Sequence, residues 1–173
     1  VARESGLPMA ATLTGLLHET PYHIAVRAID EDDNLGGIGN SVEAYTQSIA
    51  PSRINSLWAS VLGVSVTLNW IAPGDDGTSG GAVASYDLRR STSPISEDSF
   101  EEAETVTFPA NFSPASPGED ETITITCPDE STVYYFAIKA IDNFGATSSL
   151  SNTATVTTDD LTAPGIPSNL TAN

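Results

Sequence analysis

Thr122-Ile123-Thr124-Ile125-Thr126 alternates a hydroxyl with a branched apolar side chain, a period of two that an extended strand converts into one dry face and one wet face. Both residue types are β-branched and suit a pleated backbone, so a half-buried strand is expected. Outward from it, Val64-Ser65-Val66-Thr67-Leu68-Asn69-Trp70 repeats the period and places Val64, Val66, Leu68 and Trp70 on one side. Val83 to Arg90 carries Tyr86 and Leu88 inward. Tyr134, Phe136, Ile138 and Ala140 form another inward face, and Asn152 to Thr158 supplies a last strand. Between them, Ala72 to Gly81 is so rich in Gly, Pro and Asp that a loop is expected. Ser96 to Ala103 reads as one or two helical turns, with Ser96 as N-cap and acids near the positive end of the dipole. About seven strands at this spacing predict an all-β, antiparallel two-sheet sandwich.

The chain repeats itself at an offset of 112 residues. Sliding Thr12–Thr46 onto Thr124–Thr158 without a gap matches Thr14, Thr20 and Tyr22 with Thr126, Thr132 and Tyr134. It also matches Ala25, Ala28, Ile29, Asp30 and Asn40 with Ala137, Ala140, Ile141, Asp142 and Asn152. Ala50-Pro51 and Leu57 return as Ala163-Pro164 and Leu170 at an offset of 113. One unit therefore runs from near Ala50 to near Asp160.

Those residues resemble the fibronectin type III module, in the long version of secreted bacterial proteins. The family pattern has a Pro-containing start, a Trp late in the second strand, a Tyr on the third and a Leu-x-Pro-x-Thr-x-Tyr turn. Pro51, Trp70 and Tyr86 fill the first three places, and Thr132 and Tyr134 the last two. Tyr86 to Ile95 and Tyr134 to Asp142 carry the likeness furthest. The resemblance implies an immunoglobulin-like sandwich in tandem: residues 1–49 the last strands of a preceding module, 50–160 a complete one, 161–173 the opening strand of a following one. It also implies that Tyr134 and Tyr22 bond back to their own corners, with Trp70, Tyr86, Phe136 and Ile138 in the core. One departure is visible. Leu16 precedes Tyr22 by six residues, whereas Pro128 holds that place before Tyr134, so Cys127 is the candidate apolar plug.

The 173 residues carry 23 acidic against 6 basic side chains, a formal net charge of −17. Six scattered cations cannot clamp a polyphosphate, so nucleic acid is not an expected partner. No apolar run approaches the roughly 20 residues that span a bilayer, and membrane insertion is not expected. The chain opens at Val1 without a basic and then apolar leader, as a window from a longer protein would. Cys127 is the one cysteine, leaving no intramolecular disulfide and no thiolate metal cluster.

Catalysis by an activated nucleophile needs a base, most often histidine. His18 falls in a turn and His23 on the outward side of a strand, so both read as surface residues. Acidic groups cluster at Asp30-Glu31-Asp32-Asp33, Asp75-Asp76, Asp129-Glu130 and Asp159-Asp160, all expected in loops. Asp30-x-Asp32-x-Asn34 has the alternate spacing of a Ca²⁺ loop, but Gly36 comes one position late and no Glu follows at the twelfth. A simpler acidic-loop Ca²⁺ site at Asp30, Asp32 and Asn34, or an ion at Asp159 and Asp160, is the one cofactor expectation. Asn111-Phe112-Ser113 and Asn169-Leu170-Thr171 have the form of glycosylation sequons, and no Arg-Gly-Asp occurs.

The sequence therefore predicts a non-catalytic spacer or adhesive unit of an extracellular or cell-surface protein. Two alternatives stand beside it. One is an accessory domain of a secreted hydrolase, a peptidase or glycoside hydrolase, with the active site elsewhere. The other is a repeating unit of an extracellular filament or adhesin. Expected partners are neighbouring modules of the chain, further copies in a filament, or a cell-surface protein or carbohydrate.

Overall fold

The computed structural model describes residues 9–165 and divides into two compact units, Val1–Ser48 and Ile49–Asn173. In the first unit, β1 (Pro21–Ile24) pairs antiparallel with β2 (Val42–Tyr45), with Tyr22 opposite Ala44 and Ile24 opposite Val42. Beyond β1 the chain narrows into a loop closed by the Ile29–Leu35 bridge.

The second unit is a two-sheet sandwich. Three strands, β3 (Trp58–Leu62), β4 (Ser65–Ile71) and β9 (Asp120–Thr126), form one sheet with β4 central. The facing sheet has the order β11 (Ala154–Thr157), β10 (Val133–Ile141), β7 (Ser85–Ser91), β8 (Glu104–Val106). Every pairing is antiparallel. Register follows the alternation: Leu68 lies opposite Ile123, and Ile138 opposite Leu88. Val66, Leu68, Trp70, Ile123, Tyr86, Leu88, Tyr134, Phe136, Ile138 and Ala140 are buried together, joined by Ile54, Leu57 and Cys127. Trp70 meets the Tyr86 ring edge-on at 5.3 Å, and Phe108 and Phe112 extend the aromatic cluster.

Two expectations need correction. The Gly-rich stretch after β4 is ordered as a tight hairpin, β5 (Gly74–Asp76) with β6 (Ser79–Ala82), because glycine lets two backbones touch. A Cβ on Gly74 would sit 2.0 Å from the Ser79 carbonyl oxygen. The helix expected over 96–103 is a single 3-10 turn, Phe100–Glu102, preceded by Ser99 rather than capped by Ser96. The Ser96 and Ser99 side chains bond to each other's backbone instead, which holds that loop without helix. Phe100 drops under this turn onto Ala137 and Ile95, and the Lys139 ammonium and Arg89 guanidinium lie 4.7 and 5.3 Å from its ring centre. Ala137 is thereby buried although its phase points it outward. Of the expected strand over 161–173, residues 161–165 form no pairing, and the rest lies outside the described residues, as does the Asn169 sequon.

Candidate functional site

The corner before β10 is built around Tyr134. Its hydroxyl accepts the Asp129 N–H at 3.3 Å and donates to the Asp129 carboxylate at 3.0 Å. Burial raises the Tyr134 pKa, and the Asp129 carboxylate adds to it. Ser131 takes φ 50°, and Thr158 Oγ1 ties both sides: it accepts from Thr132 N at 2.9 Å and donates to Asp129 O at 2.8 Å. The first unit repeats these bonds 112 residues earlier, except that Leu17 stands in place of Asp129 and offers no carboxylate to the tyrosine. Tyr22 accepts Leu17 N–H at 2.9 Å, Glu19 takes φ 53°, and Thr46 Oγ1 accepts from Thr20 N at 3.0 Å and donates to Leu17 O at 2.6 Å. Cys127 is buried beside the Tyr134 corner, and burial pushes its thiol pKa up, which makes it a packing group rather than a nucleophile.

Asp30, Asp32 and Asn34 are brought together, but around Asp30 itself. Asp30 Oδ1 accepts Asp32 N at 3.0 Å and Asn34 N at 2.8 Å, while Oδ2 accepts the Asn34 side-chain amide at 2.9 Å. The Asn34 side-chain bond leads the lowering of the Asp30 pKa, so the carboxylate serves its own loop. Asp142 does the same, its Oδ1 accepting Phe144 N and Ala146 N at 2.9 and 2.7 Å. Among the described residues no three His, Cys, Asp or Glu side chains converge as a metal-binding group.

Glu130, Asp159 and Asp160 also accept groups of neighbouring chain segments. Glu130 accepts Leu161 N at 2.7 Å and the Thr162 hydroxyl, and these bonds lower its pKa. Asp159 Oδ2 accepts Gly63 N at 2.7 Å, and Asp160 accepts Thr162 N at 3.0 Å. Glu121 is the acid that sequence reasoning passed over. It is buried between the sheets, accepts Ala115 N at 2.6 Å and lies 3.4 Å from the Tyr86 hydroxyl. Burial first, then the Glu121 charge, drives the Tyr86 pKa far above its ordinary range. The phase of β9 already points Glu121 inward with Ile123. Its partner Ala115 comes from an irregular loop that no period marks.

His18 and His23 are exposed, and neither imidazole is hydrogen-bonded among the described residues. Three cations are paired with acids, Arg89 with Asp87 and Glu101, Arg90 with Glu104 and Lys139 with Glu97, while Arg53 donates to the Ser151 carbonyl. An apolar hollow in the first unit is lined by Met9, Ala11, Leu13, Leu16, Ile24 and Val26.

No family model matches the chain. Exoglucanase B of Cellulomonas fimi is 29% identical over 171 aligned residues, which cover 93% of this chain and 14% of that protein. The chain thus spans about a seventh of that relative's length. Among solved structures, an Fn3-like protein from Clostridium thermocellum is 24% identical, with TM-score 0.43, covering 66% of this chain and 99% of that one. The FN1–FN3 domains of chicken CNTN1 are 18% identical, with TM-score 0.49, covering 87% of this chain and 44% of that one.

Proposed function

We propose that the second unit, a two-sheet antiparallel sandwich, is a fibronectin type III module and that the chain is a non-catalytic structural or interaction segment of an extracellular, multidomain protein. The observation that carries this reading is where the acidic side chains go. Asp30, Asp129, Glu130, Asp159, Asp160 and Glu121 each accept N–H or O–H groups of neighbouring loops and strands rather than facing a base or nucleophile. Such groups stiffen corners and linkers. Residues 1–49 are then the closing strands of one module, 50–160 a full one and 161–173 the start of a third; the bonds recurring at Tyr22 and Tyr134 support this division.

The test is turnover by the full chain on soluble and insoluble β-glucans, casein and an activated ester. Rates equal to buffer are expected, and hydrolysis that Glu121→Gln abolishes would sink the reading. The similarity to Exoglucanase B supports a second form, an accessory segment of a polysaccharide-degrading protein whose reaction centre lies outside these residues. Retention of the chain on insoluble cellulose against a bovine albumin control tests that form.

A further inference from the structure

The two outer faces of the sandwich differ in charge. On β7 and β10 the outward groups include ions: Arg89 bonds Asp87 and Glu101, and Lys139 bonds Glu97. The outer face of β3, β4 and β9 has none along two full rows. Register sets Trp58, Asn69 and Thr122 side by side across the three strands, and Ser60, Thr67 and Thr124 form the next row. Their chain neighbours Ala59, Val61, Val66, Leu68, Trp70 and Ile123 turn into the core, which leaves these six facing out. Trp58 is 56% exposed, and Ser60, Thr122 and Thr124 are exposed with it. The one outward charge on these strands is Asp120, at the end of the face opposite Ile71.

A chain of net charge −17 keeps this patch neutral, whereas a soluble surface ordinarily gives about a quarter to a third of its positions to ions. Threonine suits an exposed strand, but an edge strand is ordinarily guarded by a charge, a proline or a bulge, and β3 has none of these. All three strands lie within the second unit and the facing sheet covers their other side, so this is the finished outside of the sandwich.

The chemistry of the face selects its partner. Apart from Trp58 it is built of hydroxyls and one amide, about 4.8 Å apart between strands and about 6.8 Å apart along them. Thr67 and Thr124 already share a hydrogen bond, Oγ1 to Oγ1 at 3.0 Å, which orders both hydroxyls and leaves each with further bonding capacity. Protein interfaces favour aromatic residues, Met and Arg and are depleted in Ser, so a plane dominated by hydroxyls is poor ground for one. A polyanion is repelled by the net charge, and a cationic partner finds no carboxylate among the six residues. An uncharged, hydroxyl-rich polymer fits. The Trp58 indole offers its electron-rich face to the C–H side of a sugar ring, and the hydroxyl rows can both donate to and accept from sugar hydroxyls.

We propose that the outer face of β3, β4 and β9 binds an uncharged polysaccharide, with Trp58 stacked on one sugar ring and Ser60, Thr67, Thr122 and Thr124 bonding hydroxyls along the polymer. The inference names a partner for the interaction segment proposed above and rests on that reading.

Electrophoresis of the full chain in native gels cast with soluble polysaccharide tests this, each mobility being referred to a gel without it. A mixed-linkage β-glucan, hydroxyethylcellulose and galactomannan are the neutral probes, and polygalacturonate is the acidic one. Expected are retardation by at least one neutral probe, none by polygalacturonate, and an affinity lowered about tenfold in Trp58→Ala and in Thr124→Glu. In ¹H–¹⁵N spectra of the wild type, the Trp58 indole N–H and the Thr122 and Thr124 amides should move with the retarding probe, a readout that stands even where a variant misfolds. No retardation by any neutral probe overturns the proposal, as does retardation that survives both substitutions or moves amides outside this sheet alone. Self-association in the absence of polysaccharide, lost in Trp58→Ala, would give the face to a second copy and also overturns it. Absence of both binding and hydrolysis removes only this site and leaves the non-catalytic reading standing, whereas hydrolysis that Glu121→Gln abolishes removes both.

Discussion

Trp70 sits where the two sheets are furthest from water, edge-on to Tyr86 and flanked by Phe108 and Phe112. Trp70→Ala should cost about 3–5 kcal/mol, the range for emptying an aromatic site that cannot collapse, read as a lower urea midpoint at unchanged slope. Glu130 offers a test by titration. Its folded pKa lies below the ordinary carboxylate value, so its contribution is present above about pH 4.3 and is lost as pH falls through the folded value. Wild type should therefore melt above Glu130→Gln at pH 7, the gap closing below about pH 4. Equal gaps at both pH values would show that Glu130 acts by packing alone. Single residues were legible where a period or a spacing addressed them. Trp70, Leu68 and Ile138 follow from alternation, and the Tyr22 and Tyr134 corners from the family spacing. The repeat aligns Asn152 with Asn40 but gives no sign that Asn152 clasps the Leu57 backbone, because Leu57 lies 95 residues away and polar side chains have no phase.

At the level of elements, β10 shows how one strand is finished in two ways. Past its pairing with β11, its N–H groups at Ile138 and Ala140 donate to Ser151 Oγ at 3.0 Å and Ser148 Oγ at 2.9 Å. The first unit has Gly39 and Gly36 at those places and keeps only the backbone half of the pattern. The β5–β6 hairpin depends on Gly74 in a way composition hinted at but could not order, since a loop and a tight hairpin draw on the same residues. Gly74→Ala should cost about 1–3 kcal/mol from backbone overlap, with the loss seen in thermal melts. Serine and glutamate suit a helix start over 96–103, but the segment forms one 3-10 turn whose Phe100 side chain is buried on Ala137. For the Asp30 loop, carboxylate oxygens already engaged by Asp32 and Asn34 predict that millimolar Ca²⁺ leaves the melting midpoint unchanged. A rise that Asp30→Asn removes would restore the ion.

The molecule as a whole combines a net charge of −17 with only six basic side chains, three of them in local ion pairs, so long-range repulsion acts against the folded units. Raising NaCl from 10 to about 150 mM, which shortens the screening length from about 30 to 8 Å, should raise the melting midpoint. A fall would place the local ion pairs above the global field. The join at the end of the second unit has a mechanical consequence. Asp159 holds the β3–β4 turn through both its N–H, donating to Gly63 C=O at 2.9 Å, and its carboxylate, while Glu130 grips Leu161 and Thr162 just beyond. Tension drawn along the polypeptide from residue 165 therefore meets the Glu130 tether first and the Gly63 tether next, before it can peel β11 from its neighbour. These two ties would act as sacrificial links, yielding ahead of the sandwich and sparing its interior under load.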